Sequence, residues 1–151
     1  MKFQISTDYA IRILQYLHMV QTEGDPLQTA MTISHATGLT YPFFIKLANQ
    51  MKKHGLVDAV QGRNGGYVLG KPAGEISVYD VVVATDGEMK LNRCLNNKED
   101  VPCTKGAKEH CGLRKFFGGV QESVIEKLKA QSIADLNGFQ SNNITRKAAC
   151  Q

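Results

Sequence analysis

Two glycines, Gly38 and Gly55, each close a short amphipathic run, and that punctuation constrains the fold more than any other feature of the chain. Ala30, Ile33 and Ala36 recur at helical spacing before Gly38, and Phe44, Leu47, Ala48 and Met51 do so before Gly55. Glycine adopts without strain the left-handed conformation in which many helices stop. The spacing therefore predicts two helices meeting at a tight turn, with Thr40 capping the second. That second helix buries Phe44, Leu47, Ala48 and Met51, and leaves Tyr41, Phe43, Lys46, Asn49, Gln50, Lys52 and Lys53 wholly or partly outward. Helix, short turn, helix is a plan in which the second helix can enter the DNA major groove. Two β-prone runs follow at residues 56–60 and 67–69, around a tip at 61–66 that holds three glycines and one Asn. This reads as a hairpin, and a hairpin directly after a helix-turn-helix makes a wing. Arg63 and Lys71 place positive charge on it, suited to phosphate or to a narrow, negative minor groove. The glycines at the tip are first of all turn residues. A nucleotide-binding phosphate loop is excluded, because Gly70 and Lys71 are followed by Pro72 where Ser or Thr is needed.

The flanks extend the helical reading. Ala10, Ile13, Leu14, Leu17 and Val20 form one apolar face of an N-terminal helix with Thr7 as its expected cap. Asp8 lies in its first turn, where a carboxylate suits the positive end of the helix dipole. Gly24, Asp25 and Pro26 break it. Ser77 followed by Asp80 has the spacing of a capping box, with Asp in the usual place of Glu or Gln. Val78, Val81 and Val82 then mark a short helix that ends near Gly87. From Leu113 onward, Phe116, Phe117, Val120, Val124 and Leu128, with Ile125 alongside, repeat as a long stripe. Gly118 and Gly119 weaken that helix by roughly 1 kcal/mol each relative to alanine, so burial against something must support it. The stripe is either core packing or a dimer seam. Ser132 caps a short turn, and residues 137–151 are polar, Asn-rich and expected to be disordered.

Between the short helix and the long one lies CLNNKEDVPCTKGAKEHC, residues 94–111, without apolar periodicity of either kind. A long loop of this sort inside a small domain calls for a function or for disorder. Cys94, Cys103 and Cys111, with His110 beside the last, could gather around a soft metal centre, since thiolates suit zinc, copper(I) and iron–sulfur clusters. They supply one ligand fewer than a closed tetrahedral site or a complete cluster takes. No close-spaced Cys knuckle of the zinc-finger kind is present. Ordinary loop thiols, a redox pair, or a disulfide drawing on Cys150 are the competing readings, and spacing alone leaves them open.

The balance of 18 basic to 14 acidic residues permits nucleic-acid binding if the cations cluster on one face. No apolar run reaches membrane-spanning length, and the N-terminus lacks a signal peptide's apolar core. A cytoplasmic protein with reduced thiols is therefore expected. No metalloprotease, serine-hydrolase or dinucleotide fingerprint is present, so enzymatic function is not expected.

Taken together, DYAIRIL at 8–14, HGLVDAVQGRNGGYVLGKPAGEISVYDVV at 54–82, the three cysteines, and the stretch from CGLRKFF to SIADL at 111–136 resemble the Rrf-type bacterial winged-helix regulators that include IscR and NsrR. The wing pattern Gly-x-x-Gly-Gly-Tyr-x-Leu followed by Lys-Pro is its most specific part. The resemblance implies a mainly α fold with a small β-hairpin. Residues 1–87 would be a winged helix-turn-helix DNA-binding domain, 88–112 a cluster-binding cysteine loop, 113–136 a dimerisation helix and 137–151 a tail. It implies a homodimer on a pseudo-palindromic double-stranded DNA operator, with no membrane. Thr40, Tyr41, Pro42 and Lys46 fall where the recognition helix meets DNA, and Gln61, Arg63, Asn64, Gly65 and Gly66 fall on the wing. Gln61 departs from the family's usual arginine, losing a charge while keeping a donor and an acceptor. Cys94, Cys103 and Cys111 match the cysteines that hold an iron–sulfur cluster, with spacing longer than the commonest family form. A four-iron cluster is favoured over a two-iron one, because Asp8 matches the carboxylate that the nitric-oxide-sensing branch takes from the partner subunit as fourth ligand. The IscR branch instead has a His three residues past the last cysteine, where this chain has Arg114. His110 could substitute only with a changed loop path, and His35 reads as an ordinary, partly exposed histidine. A cluster-free regulator responding through thiols or a small ligand is the alternative.

Overall fold

The computed structural model describes residues 4–95 and 111–136. Among these, the α-helices are α1 (Ile5–Thr22), α2 (Ala30–Thr37), α3 (Tyr41–Lys53), α4 (Val78–Asp86) and α5 (Gly112–Ala130). Between α3 and α4 lies an antiparallel hairpin, β1 (Val57–Val60) and β2 (Gly66–Leu69), in register Val57↔Leu69 to Val60↔Gly66. The expected winged helix-turn-helix is present. No described helix is long and apolar enough to cross a membrane. Cys103, His110, Cys150 and the tail at 137–151 lie outside the described residues.

The core forms where the apolar faces converge. Ile13, Leu14 and Leu17 of α1 meet Ile33 of α2, Phe44, Leu47 and Met51 of α3, Leu56, Val57, Ile76, Val81 and Ile133, all essentially solvent-free. The periodicity located the core residues of α1 and α3 and Ile33 of α2, but it named neither Ile76 nor Ile133, and the rest of the α2 face differs. There Ala36 is exposed, and Ser34 is buried beside Ile33. The helix turns its 30, 33, 34, 37 row inward, the i, i+3, i+4, i+7 pattern.

The start of α1 also differs from expectation. Thr7 is not the cap: the helix begins at Ile5, after Gln4, whose side chain makes no capping bond. Asp86, from the far end of α4, does the work. Its Oδ2 accepts the Gln4 N–H at 3.1 Å, and its Oδ1 accepts the Ser6 hydroxyl at 3.4 Å. Thr7 is buried one turn in, sharing a 2.6 Å hydroxyl–hydroxyl hydrogen bond with Thr85. The capping box on α4 is formed as read: the Ser77 N–H donates to Asp80 Oδ2 at 2.9 Å and the Asp80 N–H to Ser77 Oγ at 3.1 Å.

Beyond α5 the chain returns to the core. The Ile133 N–H donates to the Ile76 carbonyl at 2.8 Å, and the Val78 N–H to the Gln131 carbonyl at 2.9 Å, so residues 131–133 run antiparallel to 76–78. Ser132 caps the turn that follows, accepting the Asp135 N–H at 3.2 Å. Helix α5 itself has no buried residue. Leu113, Phe116 and Val120 are 58%, 64% and 38% exposed, so that part of the stripe is not packed into the core of the described residues.

Candidate nucleic-acid interface and cysteine loop

The reading head is assembled by short-range chemistry. Thr29 caps α2, its hydroxyl accepting the Thr32 N–H at 3.1 Å. Gly38 turns the chain at φ +72°, and the Leu39 N–H donates back to the Ser34 carbonyl at 2.8 Å. Thr40 occupies the cap position of α3, but its side chain makes no capping bond, contrary to the sequence expectation. Pro42 in the first turn needs no hydrogen-bonding N–H there and supplies a helical φ in advance. Thr40, Tyr41, Pro42 and Lys46 are all exposed. Beneath them, Phe44 stacks edge-on against Tyr67 of β2, with ring centroids 5.1 Å apart, and Phe43 against Tyr9 of α1 at 5.9 Å. Burial, and after it the neighbouring Tyr41, push the Tyr67 pKa up, so its phenol stays protonated.

The wing is held from two sides. Residue Gln28, just before α2, bridges Tyr67: its N–H donates to the Tyr67 carbonyl at 3.1 Å, and the Tyr67 N–H returns a bond of 2.8 Å. Only Gly62 at the tip has a positive φ, +114°. Gly65 and Gly66 are required for another reason, since a Cβ would lie 2.2 Å from the Val60 carbonyl oxygen and 2.5 Å from that of Gln28. Gln61, Arg63 and Asn64 are exposed. Lys71, read as a wing cation, sits 3.5 Å from Asp80 Oδ2 and is partly neutralised. Between the second half of α3 and the wing lies a cleft of about 520 Å³, walled by Asn49, Lys52, Gln61 and Tyr67 among others. Asn49 and Lys52 were not singled out by sequence; the available signal was their place on the outward row continuing from Lys46.

Cys94 stands in a 3₁₀ turn, Arg93–Leu95, and Cys111 is the cap residue of α5. Both thiols are half-buried and free. The run into Cys94 is fastened to α5, where Gln121 Oε1 accepts the Leu91 N–H at 2.9 Å and the Leu95 side chain lies beside Gly118. Asp8 is exposed and pairs with Arg12 at 2.9 Å, and the Arg12 guanidinium also lies over the Tyr9 ring. Among the described residues no three His, Cys, Asp or Glu side chains form a metal-holding group. Asp8 is therefore not gathered with Cys94 and Cys111 within one chain. The donor chemistry fits a soft metal at the cysteines: two unbonded, accessible thiols at the two ends of one loop. His35 is exposed on α2.

Residues 3–138 match the Rrf2 family, described as iron-dependent transcriptional regulator. Protein aau3 of Rhizobium meliloti (strain 1021) is 32% identical over 137 residues, covering 90% of this chain and 84% of its own length. The HTH-type transcriptional regulator NsrR of Shouchella clausii is 26% identical over 130 residues, covering 86% and 84%. Among solved structures, CymR (YrzC), the global cysteine regulator of B. subtilis, superposes with a TM-score of 0.70 at 19% identity, covering 92% of this chain and 98% of that one. IscR of T. potens gives 0.66 at 23% identity, covering 90% and 85%. At such identities the two structures speak to the fold.

Proposed function

The chain belongs to the Rrf2 family of transcription regulators, and from that premise we propose that it is a homodimer that senses redox state, nitric oxide or iron and cluster supply through an iron–sulfur cluster. It is a DNA-binding regulator of transcription and not an enzyme. The thiolates of Cys94, Cys103 and Cys111 would hold the cluster, a four-iron one in preference to a two-iron one, with Asp8 of the partner subunit as fourth ligand and His110 as the lesser candidate. The observation that carries this reading is that Cys94 and Cys111 are free and half-buried, Cys94 in a 3₁₀ turn packed against α5 and Cys111 as the cap residue of that helix. A bound cluster supplies a centre that gains, loses or exchanges ligands in response to its signal. The chain's own part is mechanical. Gln121 ties the run before Cys94 to α5, and Cys111 opens that helix, so a change in thiol ligation acts on both ends of the loop. Switching requires that the cluster favour one arrangement of the DNA heads over the other. The second subunit would cover Leu113, Phe116 and Val120.

The heads would read a pseudo-palindromic operator through Thr40, Tyr41, Pro42 and Lys46, with Gln61, Arg63, Asn64, Gly65 and Gly66 on the flanks. Half-sites should lie about 34–36 Å apart or at multiples of that spacing. Anaerobic purification should give a brown protein with charge-transfer absorption, bound iron and sulfide, and a symmetric footprint. Colourless protein holding only zinc, unchanged by reconstitution, would retire the cluster. Failure to protect any symmetric site in any metal or redox state would retire the operator. One observation favours the second reading, a cluster-free thiol- or small-ligand-responsive regulator: Asp8 is already engaged by Arg12. In that case DNA binding persists and iron has no effect.

A further inference from the structure

The cleft between the second half of α3 and the wing has the make-up of an anion seat. Lys52 contributes an ammonium and Asn49 and Gln61 contribute amides, and no acidic residue lines it. Gly62, Gly65 and Gly66 of the wing line it too, and bring backbone rather than side chains to its wall. Position along the helix decides what the anion is. Lys52 lies ten residues beyond Pro42, about 15 Å along the helix axis. The major groove is about 12 Å wide. With the first turn of α3 at the base edges, Lys52 therefore reaches the rim of the groove, where only sugar and phosphate are within range.

We propose that this cleft seats a DNA backbone phosphate, with Lys52 supplying the charge and Asn49 and Gln61 supplying neutral hydrogen bonds. The inference rests on the DNA-binding reading above and adds to it a division of labour. Gln61 carries no charge, and the cation comes from Lys52 on the facing helix. Gln61 and Asn49 then orient the phosphate without adding charge, and the whole site positions the protein rather than specifying sequence.

The test is the salt dependence of binding to a fluorescein-labelled 30-base-pair duplex of mixed sequence, for the full dimer in cluster-loaded and cluster-free forms. Each phosphate neutralised contributes about 0.9 to the slope of log K against log salt. Lys52→Gln should flatten the slope by about 0.9 for each protomer engaged, with the melting temperature unchanged because Lys52 is exposed. Asn49→Ala should weaken binding several-fold at constant slope. Lys53→Gln, the adjacent exposed lysine outside the cleft lining, should change the slope less. If wild type binds with a steep slope and Lys52→Gln leaves it intact, the phosphate seat is wrong and the DNA-binding reading stands. If Lys53→Gln flattens the slope as much as Lys52→Gln, the effect is diffuse charge and the site is likewise overturned. If Lys52→Gln alters preference among duplex sequences instead of the slope, the cleft reads bases and not phosphate. If wild type shows no salt-dependent binding in either form, the inference falls together with the reading beneath it.

Discussion

Replacing Gly66 with alanine tests whether the wing is held by close backbone approach rather than by turn geometry. The added Cβ would sit 2.5 Å from the Gln28 carbonyl oxygen and 2.9 Å from its carbon, and both are backbone atoms that no side-chain rotation can clear. Relief requires β2 to move away from residue 28, which lengthens the 3.1 Å and 2.8 Å bonds of the Gln28–Tyr67 bridge together. At about 0.5–1.5 kcal/mol net for each hydrogen bond, Gly66→Ala should cost roughly 1–3 kcal/mol. For a chain of this size, that corresponds to a fall in Tm of roughly 2–12 °C. Gly74→Ala is the matched control, because its Cβ meets nothing within 4 Å and its φ is not positive; it should be neutral or slightly stabilising. Thermal denaturation at fixed protein concentration, with hydrogen exchange at the Gln28 and Tyr67 amides, measures both. The reasoning fails if Gly66→Ala melts within about 1 °C of wild type and keeps both amides protected.

Two further outcomes follow from the fold. Partial burial pushes the Asp80 carboxyl up, but hydrogen bonding by Ser77 and the neighbouring Lys71 outweigh it, and its pKa lies below the ordinary value. A carboxylate depressed on folding stabilises above its unfolded pKa of about 3.9 and loses that contribution as pH falls through the folded value. The stability gap between wild type and Asp80→Asn should therefore be full at neutral pH and close in acid; a gap independent of pH in denaturant titrations would contradict this. Ile133 is fully buried and bonded to Ile76, so Ile133→Ala should cost about 2–5 kcal/mol, and a loss under about 1 kcal/mol would remove the returning segment from the core.

Sequence periodicity found the helices and hairpin because each of those elements carries its own local signal. Gly38, the Ser77 and Asp80 capping box, and the two β-prone runs around the Gly-rich tip are decided within a few residues. What escaped is what depends on distant partners. Thr7 has the chemistry of a cap, but Asp86, 82 residues from Gln4, bonds the start of the helix, and Thr7 is buried against Thr85, 78 residues away. The same holds for Gly66, whose requirement comes from Gln28, and for Ile133, whose short run carries no pattern to announce that it pairs with Ile76. At the site, the exposure of Tyr41 and Lys46 was legible from the outward row of one helix. The cleft was not, since its walls come from α3 and the hairpin together.

Asp86 also bears on how a signal in the loop would reach the heads. A carboxylate at the C-terminal end of α4 faces the negative end of its own helix dipole, an unfavourable place. The positive N-terminus of α1, where Asp86 receives Gln4 and Ser6, offsets that cost. The end of α4 and the first turn of α1, which carries Asp8, are thus held as one unit. Gly87 follows with φ +82°, a conformation glycine adopts with little strain, and there the chain turns away from the end of α4. Beyond that turn the run to Cys94 is fastened to α5 through Leu91 and Gln121. Helix α4 packs against both α1 and α3. A displacement that started at Cys94 would have to pass the turn at Gly87 and the Asp86 contacts to α1 before it reached the face of α4 packed against α3.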